Sequence, residues 1–83
     1  MYQIILEPRV KKVLKKINRK DYNRMLLVFF RLSKDPFVGG KLRGKYEGCY
    51  AIRVWPYRLL YKVEKGKLIV VIFKIGPRRD VYK

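Results

Sequence analysis

Arg53 and Arg58 stand in the run YAIRVWPYRLLYKV, residues 50–63. Apolar and polar residues alternate on either side of Trp55-Pro56, so a chain reversal there makes a hairpin. In that register Tyr50 faces Tyr61, Ile52 faces Leu59 and Val54 faces Tyr57, all on one apolar face. Arg53 then faces Arg58 on the other side. Like charges directly opposed are destabilising, and a sheet face that tolerates them has room for an anion between them. Guanidinium forks match phosphate oxygens two at a time. The tail KIGPRRDVYK brings Lys74, Arg78, Arg79 and Tyr82 toward the same side, and Lys62 lies on it. The stretch DPFVGGKLRGKYEG offers Lys41, Arg43 and Lys45, either to clamp phosphate or as an ordinary soluble connection. The chemistry in view is a grip on a polyanion backbone. The alternative is that both strand arginines splay into water over apolar neighbours.

The composition points the same way. Among 83 residues there are 22 Lys+Arg against 6 Asp+Glu, a formal net charge of +16. Such an excess repels itself in the compact state, and a counter-charge relieves it: nucleic acid, an anionic membrane or an acidic protein. Seven Tyr beside that basicity favour nucleic acid over lipid. No window approaches the roughly 18 apolar residues of a membrane span, and the N-terminus has no secretory layout. There is no His, which excludes imidazole bases, and a single Cys leaves no thiolate cluster for zinc. One cysteine also fits a reducing cytoplasm.

These residues need a scaffold, and the chain is long enough for one small domain, residues 1–83. YQIIL reads as a short strand. EPRVKKVLKKINR reads as a helix with Pro8 near its first position and Val10, Val13, Leu14 and Ile17 on one stripe. DYNRMLLVFFRLSK reads as a second helix with Asp21 as a candidate cap. It should turn Tyr22, Met25, Leu26 and Phe29 to the core. Leu27, Val28 and Phe30 fall partly outside that stripe and mark either two-sided burial or a partner surface. Two hairpins follow, the second turning at Lys65-Gly66, where Tyr61 would meet Val70 and Leu59 would meet Ile72. KLIVVIFKI is apolar on both faces, as a central strand should be. The expected class is α+β, in the order β-α-α-β-β-β, with a helix pair on one face of an antiparallel-rich sheet.

KLRG, followed by CYAIRVWPYRLLYKVEKGKLIVVIFKIGPRRDVY, resembles the RelE-type toxins of prokaryotic toxin–antitoxin modules, within the RelE/ParE superfamily. The YRLLY strand and the GPRRDVY tail carry most of the likeness. The resemblance implies a ribosome-dependent endoribonuclease, an mRNA interferase that cuts message in the A site. The RNA's own 2′-hydroxyl would attack, leaving a 2′,3′-cyclic phosphate, with no cofactor and no metal. Arg58 and Arg78 match positions that stabilise charge on the scissile phosphate, and Tyr82 matches a terminal tyrosine that stacks on mRNA or assists proton transfer. Arg53 stands at one of two strand lysine positions. Ala51 stands at the other and departs from the pattern. Arginine is a poor base, so the base is left between Lys74 and Tyr82. Implied partners are the ribosome, mRNA and an acidic RelB-like antitoxin, in a possible toxin–antitoxin heterotetramer, all in the cytoplasm. Two other readings stay open: a ParE-like protein that acts on gyrase without cutting RNA, which Ala51 favours, and a small basic ribosome- or RNA-binding protein.

Overall fold

Val10 and Leu14 of one helix, with Met25, Phe29 and Leu32 of the next, close over Leu59, Tyr61, Val70 and Ile72. The computed structural model describes residues 1–77. Its elements are β1 (Gln3–Leu6), α1 (Pro8–Lys16), α2 (Arg19–Lys34), β2 (Gly40–Lys41), β3 (Tyr50–Val54), β4 (Tyr57–Glu64) and β5 (Ile69–Pro77). The five strands run in the order β1-β5-β4-β3-β2. β1 lies parallel to β5, and every other pair is antiparallel. Both helices cover the same face, and the α+β expectation is met. The loop expected over DPFVGGKLRGKYEG instead contains the edge strand β2, which pairs Gly40 with Ala51 and Lys41 with Tyr50.

Local chemistry sets the helix boundaries. Pro8 occupies the first turn of α1, where its missing N–H costs nothing. The cap of α2 is Asn18, not Asp21: its side-chain oxygen accepts from the Asp21 N–H at 2.8 Å. Asp21 therefore sits inside the first turn, where its carboxylate faces the positive helix end. The core stripe also differs from expectation. Leu32 is fully buried and Val28 packs against the core, whereas Tyr22 and Leu26 are exposed. Positions 25, 28, 29 and 32 satisfy the 3-4-7 spacing, but so do 22, 25, 26 and 29; the stripe that forms is centred on the first set and leaves 22 and 26 at its margin.

The first hairpin has the expected register, with Tyr50 opposite Tyr61, Ile52 opposite Leu59 and Arg53 opposite Arg58. The second does not. Its turn spans Lys65–Lys67 and closes through Leu68 at φ 55°, so Tyr61 faces Ile72 rather than Val70. That slip is even, so each side chain keeps its face. One further residue is inserted opposite Leu60/Tyr61. Beyond this bulge Leu59 faces Ile75, not Ile72, and Lys74 faces Leu60. Without the insertion a lysine would stand opposite buried Leu59. With it, Ile75 fills the core and Lys74 turns to the arginine face. The bulge is tied down by α1: the Arg9 Nε–H donates to the Phe73 carbonyl, and the Glu7 N–H donates to the Ile72 carbonyl.

Tyr61 is the largest fully buried side chain. Its hydroxyl donates to the Pro36 carbonyl at 2.8 Å and accepts from the Gly39 N–H at 3.1 Å. Tyr61→Phe strands both groups and should cost about 1–3 kcal/mol in a denaturant melt. Gly39→Ala should cost about as much by overpacking, because a Cβ there would stand 2.4 Å from the Tyr61 hydroxyl and 2.7 Å from the Ala51 carbonyl. Burial also raises the Tyr61 pKa above its ordinary value of 10.0. The folded state then holds the phenolic proton longer than the unfolded chain. This contribution is intact below pH 10 and is lost as pH climbs from there toward the folded pKa. The alkaline fall in stability should be shallower in Tyr61→Phe.

Candidate nucleic-acid interface

The face away from the helices is built from the alternate residues of the same strands. Ala51 and Arg53 of β3 lie beside Arg58, Leu60 and Lys62 of β4, which lie beside Val71, Lys74 and Gly76 of β5. Leu60 is fully buried within this face, so the floor is apolar and firm. Arg58 is half-buried and Arg53 exposed, directly across the ladder from each other. Lys74 is half-buried one diagonal step from Arg58 and Lys62 is exposed farther along β4.

Beside the arginine pair is a hollow of about 310 Å³ lined by Gly40, Lys41, Leu42, Ala51, Ile52, Arg53 and Arg58. Gly40 and Ala51 pair across β2 and β3, and neither carries a side chain large enough to fill it. Ala51, the departure from the expected lysine pattern, therefore has a physical consequence: it opens space where a long cation would reach in. Arg53, Arg58 and Lys41 all line it, so its wall carries three cations and no carboxylate.

The loop after β2 forms a second wall. It is closed by backbone bonds from the Leu42 N–H to the Cys49 carbonyl, from Glu47 to Gly44 and from Cys49 to Tyr46. Gly44 and Gly48 turn it at φ 68° and 89°, a region costly for residues with a Cβ. Arg43 lines an adjoining hollow of about 420 Å³ with Lys41, Glu47 and Tyr50. Lys45 holds its ammonium 5.2 Å from the Tyr46 ring centre. Tyr46 itself stacks on Phe73 with centroids 6.0 Å apart and rings inclined by 29°. The Lys74 Nζ lies 3.5 Å from the Tyr46 hydroxyl.

Of the residues singled out from the sequence, Arg53, Arg58, Lys62 and Lys74 share one face, whereas Lys41 pairs with Tyr50 and so falls on the opposite face of the edge strand. Arg43 and Lys45 lie on the loop at the rim of the arginine face. Arg78, Arg79 and Tyr82 lie outside the described residues. Sequence reasoning missed Tyr46. The available signal was an aromatic set between basic residues in KLRGKYEG, the interleaving that nucleic-acid surfaces use. Among the described residues no helix is long and apolar enough to cross a membrane.

Comparison with known proteins places this geometry. The family model described as ParE toxin of type II toxin-antitoxin system, parDE, matches residues 4–82. The chain is similar to Toxin RelG of Mycobacterium tuberculosis, 38% identical over 56 residues, an alignment covering 66% of this chain and 64% of that protein. Among solved structures it resembles the archaeal RelE-RelB complex from Pyrococcus horikoshii OT3, with a TM-score of 0.84 and 26% identity, covering 96% of this chain and 98% of that one. It equally resembles the toxin-antitoxin complex RelBE2 from Mycobacterium tuberculosis, with a TM-score of 0.84 and 28% identity, covering 93% of this chain and 98% of that one. A cationic sheet face opposite a helix pair, matched along nearly the whole length, leads to one conclusion: the chain belongs to the ParE toxin family of type II toxin–antitoxin systems, within the RelE/ParE superfamily.

Proposed function

We propose that this chain is a ribosome-dependent endoribonuclease that cuts mRNA in the A site and is held in check by an acidic, RelB-like antitoxin in the cytoplasm. The observation that carries the reading is the direct opposition of Arg53 and Arg58 at the edge of a hollow made by Gly40 and Ala51. That arrangement is unfavourable empty and favourable around a phosphodiester.

The chemistry is an internal transesterification. The ribose 2′-oxygen gives up its proton and bonds to the adjacent phosphorus. The bond from phosphorus to the 5′-oxygen breaks, and that oxygen takes a proton. The products are a 2′,3′-cyclic phosphate and a 5′-hydroxyl. Charge builds on the non-bridging oxygens between these states, and Arg58, with Arg78, is assigned to meet it. Preorganised charge of this kind is often the largest catalytic contribution. Arg53, Lys41, Lys62 and Arg79 are assigned to the flanking phosphates, with Arg43 and Lys45 at the rim. Lys74 and Tyr82 are the candidates for proton transfer. The bulge supports Lys74 by turning it to the arginine face. The nucleophile belongs to the RNA, so the reaction as written calls for no cofactor.

The test is purified protein with programmed ribosomes at low salt. A-site message should be cut, with a cyclic phosphate at the new 3′ end, and Arg78→Ala should lose most of that activity. Intact message under these conditions overturns the reading. A second reading is favoured by the family match to ParE toxins and by Ala51: inhibition of gyrase without RNA cleavage. DNA breaks trapped on gyrase, with message left whole, would select it.

A further inference from the structure

The aromatic pair on the basic face has no part in the charge chemistry above. Tyr46 and Phe73 are each half-buried, so both keep ring surface open to solvent on a face otherwise made of cations and aliphatic floor. Their placement takes two separate devices. The bulge in β5 sends Phe73 and Lys74 to the same side, shown by the contact of both with Tyr46. The glycine-turned loop brings Tyr46 over from the far side of β3. Core packing explains neither, because both residues stand apart from the core cluster.

We propose that Tyr46, backed by Phe73, is a stacking platform for one unpaired nucleobase of the RNA, next to the nucleotide whose phosphate lies at Arg53 and Arg58. Three observations carry it. The two rings stack at 29°, giving a backed flat surface rather than a lone mobile ring. Lys74 touches the phenol hydroxyl at 3.5 Å, and the Lys45 ammonium lies over the Tyr46 ring 5.2 Å from its centre, a place an incoming base takes as the long lysine swings to an adjoining phosphate. Lys74 also ties it to the arginine pair, since it faces Leu60, two residues along β4 from Arg58. Every base has a π-face, so such a surface binds with little regard to sequence. It would fix how the strand bends past the arginines, and orientation of that kind lowers the barrier of an in-line attack.

This inference rests on RNA being the ligand. Its test therefore uses free RNA and does not require cleavage. The probes are a labelled single-stranded RNA pentamer, 2′-deoxy at the central position to block cutting, and the same pentamer made abasic at the position being tested. The native chain should bind the base-bearing form about tenfold more tightly than the abasic form at one position. Tyr46→Phe should keep that ratio. Tyr46→Leu, which still covers Phe73, should bring it close to one while leaving the salt dependence of binding unchanged, since no phosphate contact is removed. A thermal melt of Tyr46→Leu near that of the native chain excludes unfolding as the cause. The inference is overturned if Tyr46→Leu retains the native preference, or if the native chain has no preference at any position. Failure of the ribosome assay alone would sink the proposed nuclease and leave this result standing.

Discussion

Arg58→Ala should slow A-site cleavage by about 100- to 1,000-fold in a single-turnover ribosome assay, the range seen when one preorganised oxyanion donor is removed. The expectation follows from where Arg58 sits. Its strand is held on both sides, by β3 and β5, and its side chain is half-buried. A guanidinium held this way is already oriented when charge develops, so little is lost in reorganising it. Arg53 faces it from the exposed side of β3, so Arg53→Ala should cost only about tenfold, the share of a more mobile contact. Arg58→Lys separates charge from geometry. Lysine restores a positive charge but presents one point rather than a planar fork, and it should recover only a minor part of the lost rate. The loss should fall on the rate at saturating toxin rather than on ribosome affinity, since the interaction strengthens in the transition state. Cleavage by Arg58→Ala at the native rate would remove the arginine pair from the mechanism.

That pair was legible in the sequence because two independent signals agree on the first hairpin. Period-two alternation defines the faces of β3 and β4, and Trp55-Pro56 marks the reversal, so a one-residue slip would bury arginine. The second hairpin was less legible for an identifiable reason. Lys65-Gly66 has the chemistry of a tight turn, yet the turn that forms puts Leu68 in the left-handed region, which a leucine rarely adopts. No local preference announces that. The bulge leaves one trace, a lysine in a run otherwise apolar on both faces: Lys74 cannot stay in the core, and an inserted residue is one way out. β2 has only Gly40 and Lys41, too little for any periodicity, so the hollow between Gly40 and Ala51 appears only when the strands are paired. The helix pair was read correctly in kind. For α2, Met25 and Phe29 are in the core as expected and Tyr22 and Leu26 are not, because the helix carries apolar residues around more than one face, and an apolar stripe cannot be placed by spacing when several spacings fit.

The surplus on α2 leads to the other large expected effect. Leu27 is 71% exposed, Phe30 56% and Leu26 45%, and Tyr22 precedes them by one turn. Residues 22, 26 and 30 are spaced by four, so with Leu27 they make one continuous apolar strip along a helix whose other side is already in the core. Val28, expected among them, packs inward instead. Cations border the strip: the Lys34 ammonium lies 4.6 Å from the Phe30 ring centre, and Arg31 is exposed beside it. An apolar strip with a basic rim fits an acidic amphipathic helix, which would dock its own apolar side and pair its carboxylates outward. The antitoxin proposed for this chain has that chemistry. Leu27→Ala with Phe30→Ala should weaken its binding by about 100-fold, since central aromatic anchors carry a disproportionate share of interface energy. The free chain should melt almost as before, because both side chains are exposed and support nothing beneath them. Mass action sharpens the contrast: excess antitoxin should raise the melting temperature of the native chain and barely move that of the double variant. In cells, the double variant should stay toxic when the antitoxin is co-expressed, unless Arg58→Ala is added. Native affinity in the double variant would show that the antitoxin binds elsewhere, and the strip on α2 would then need another occupant.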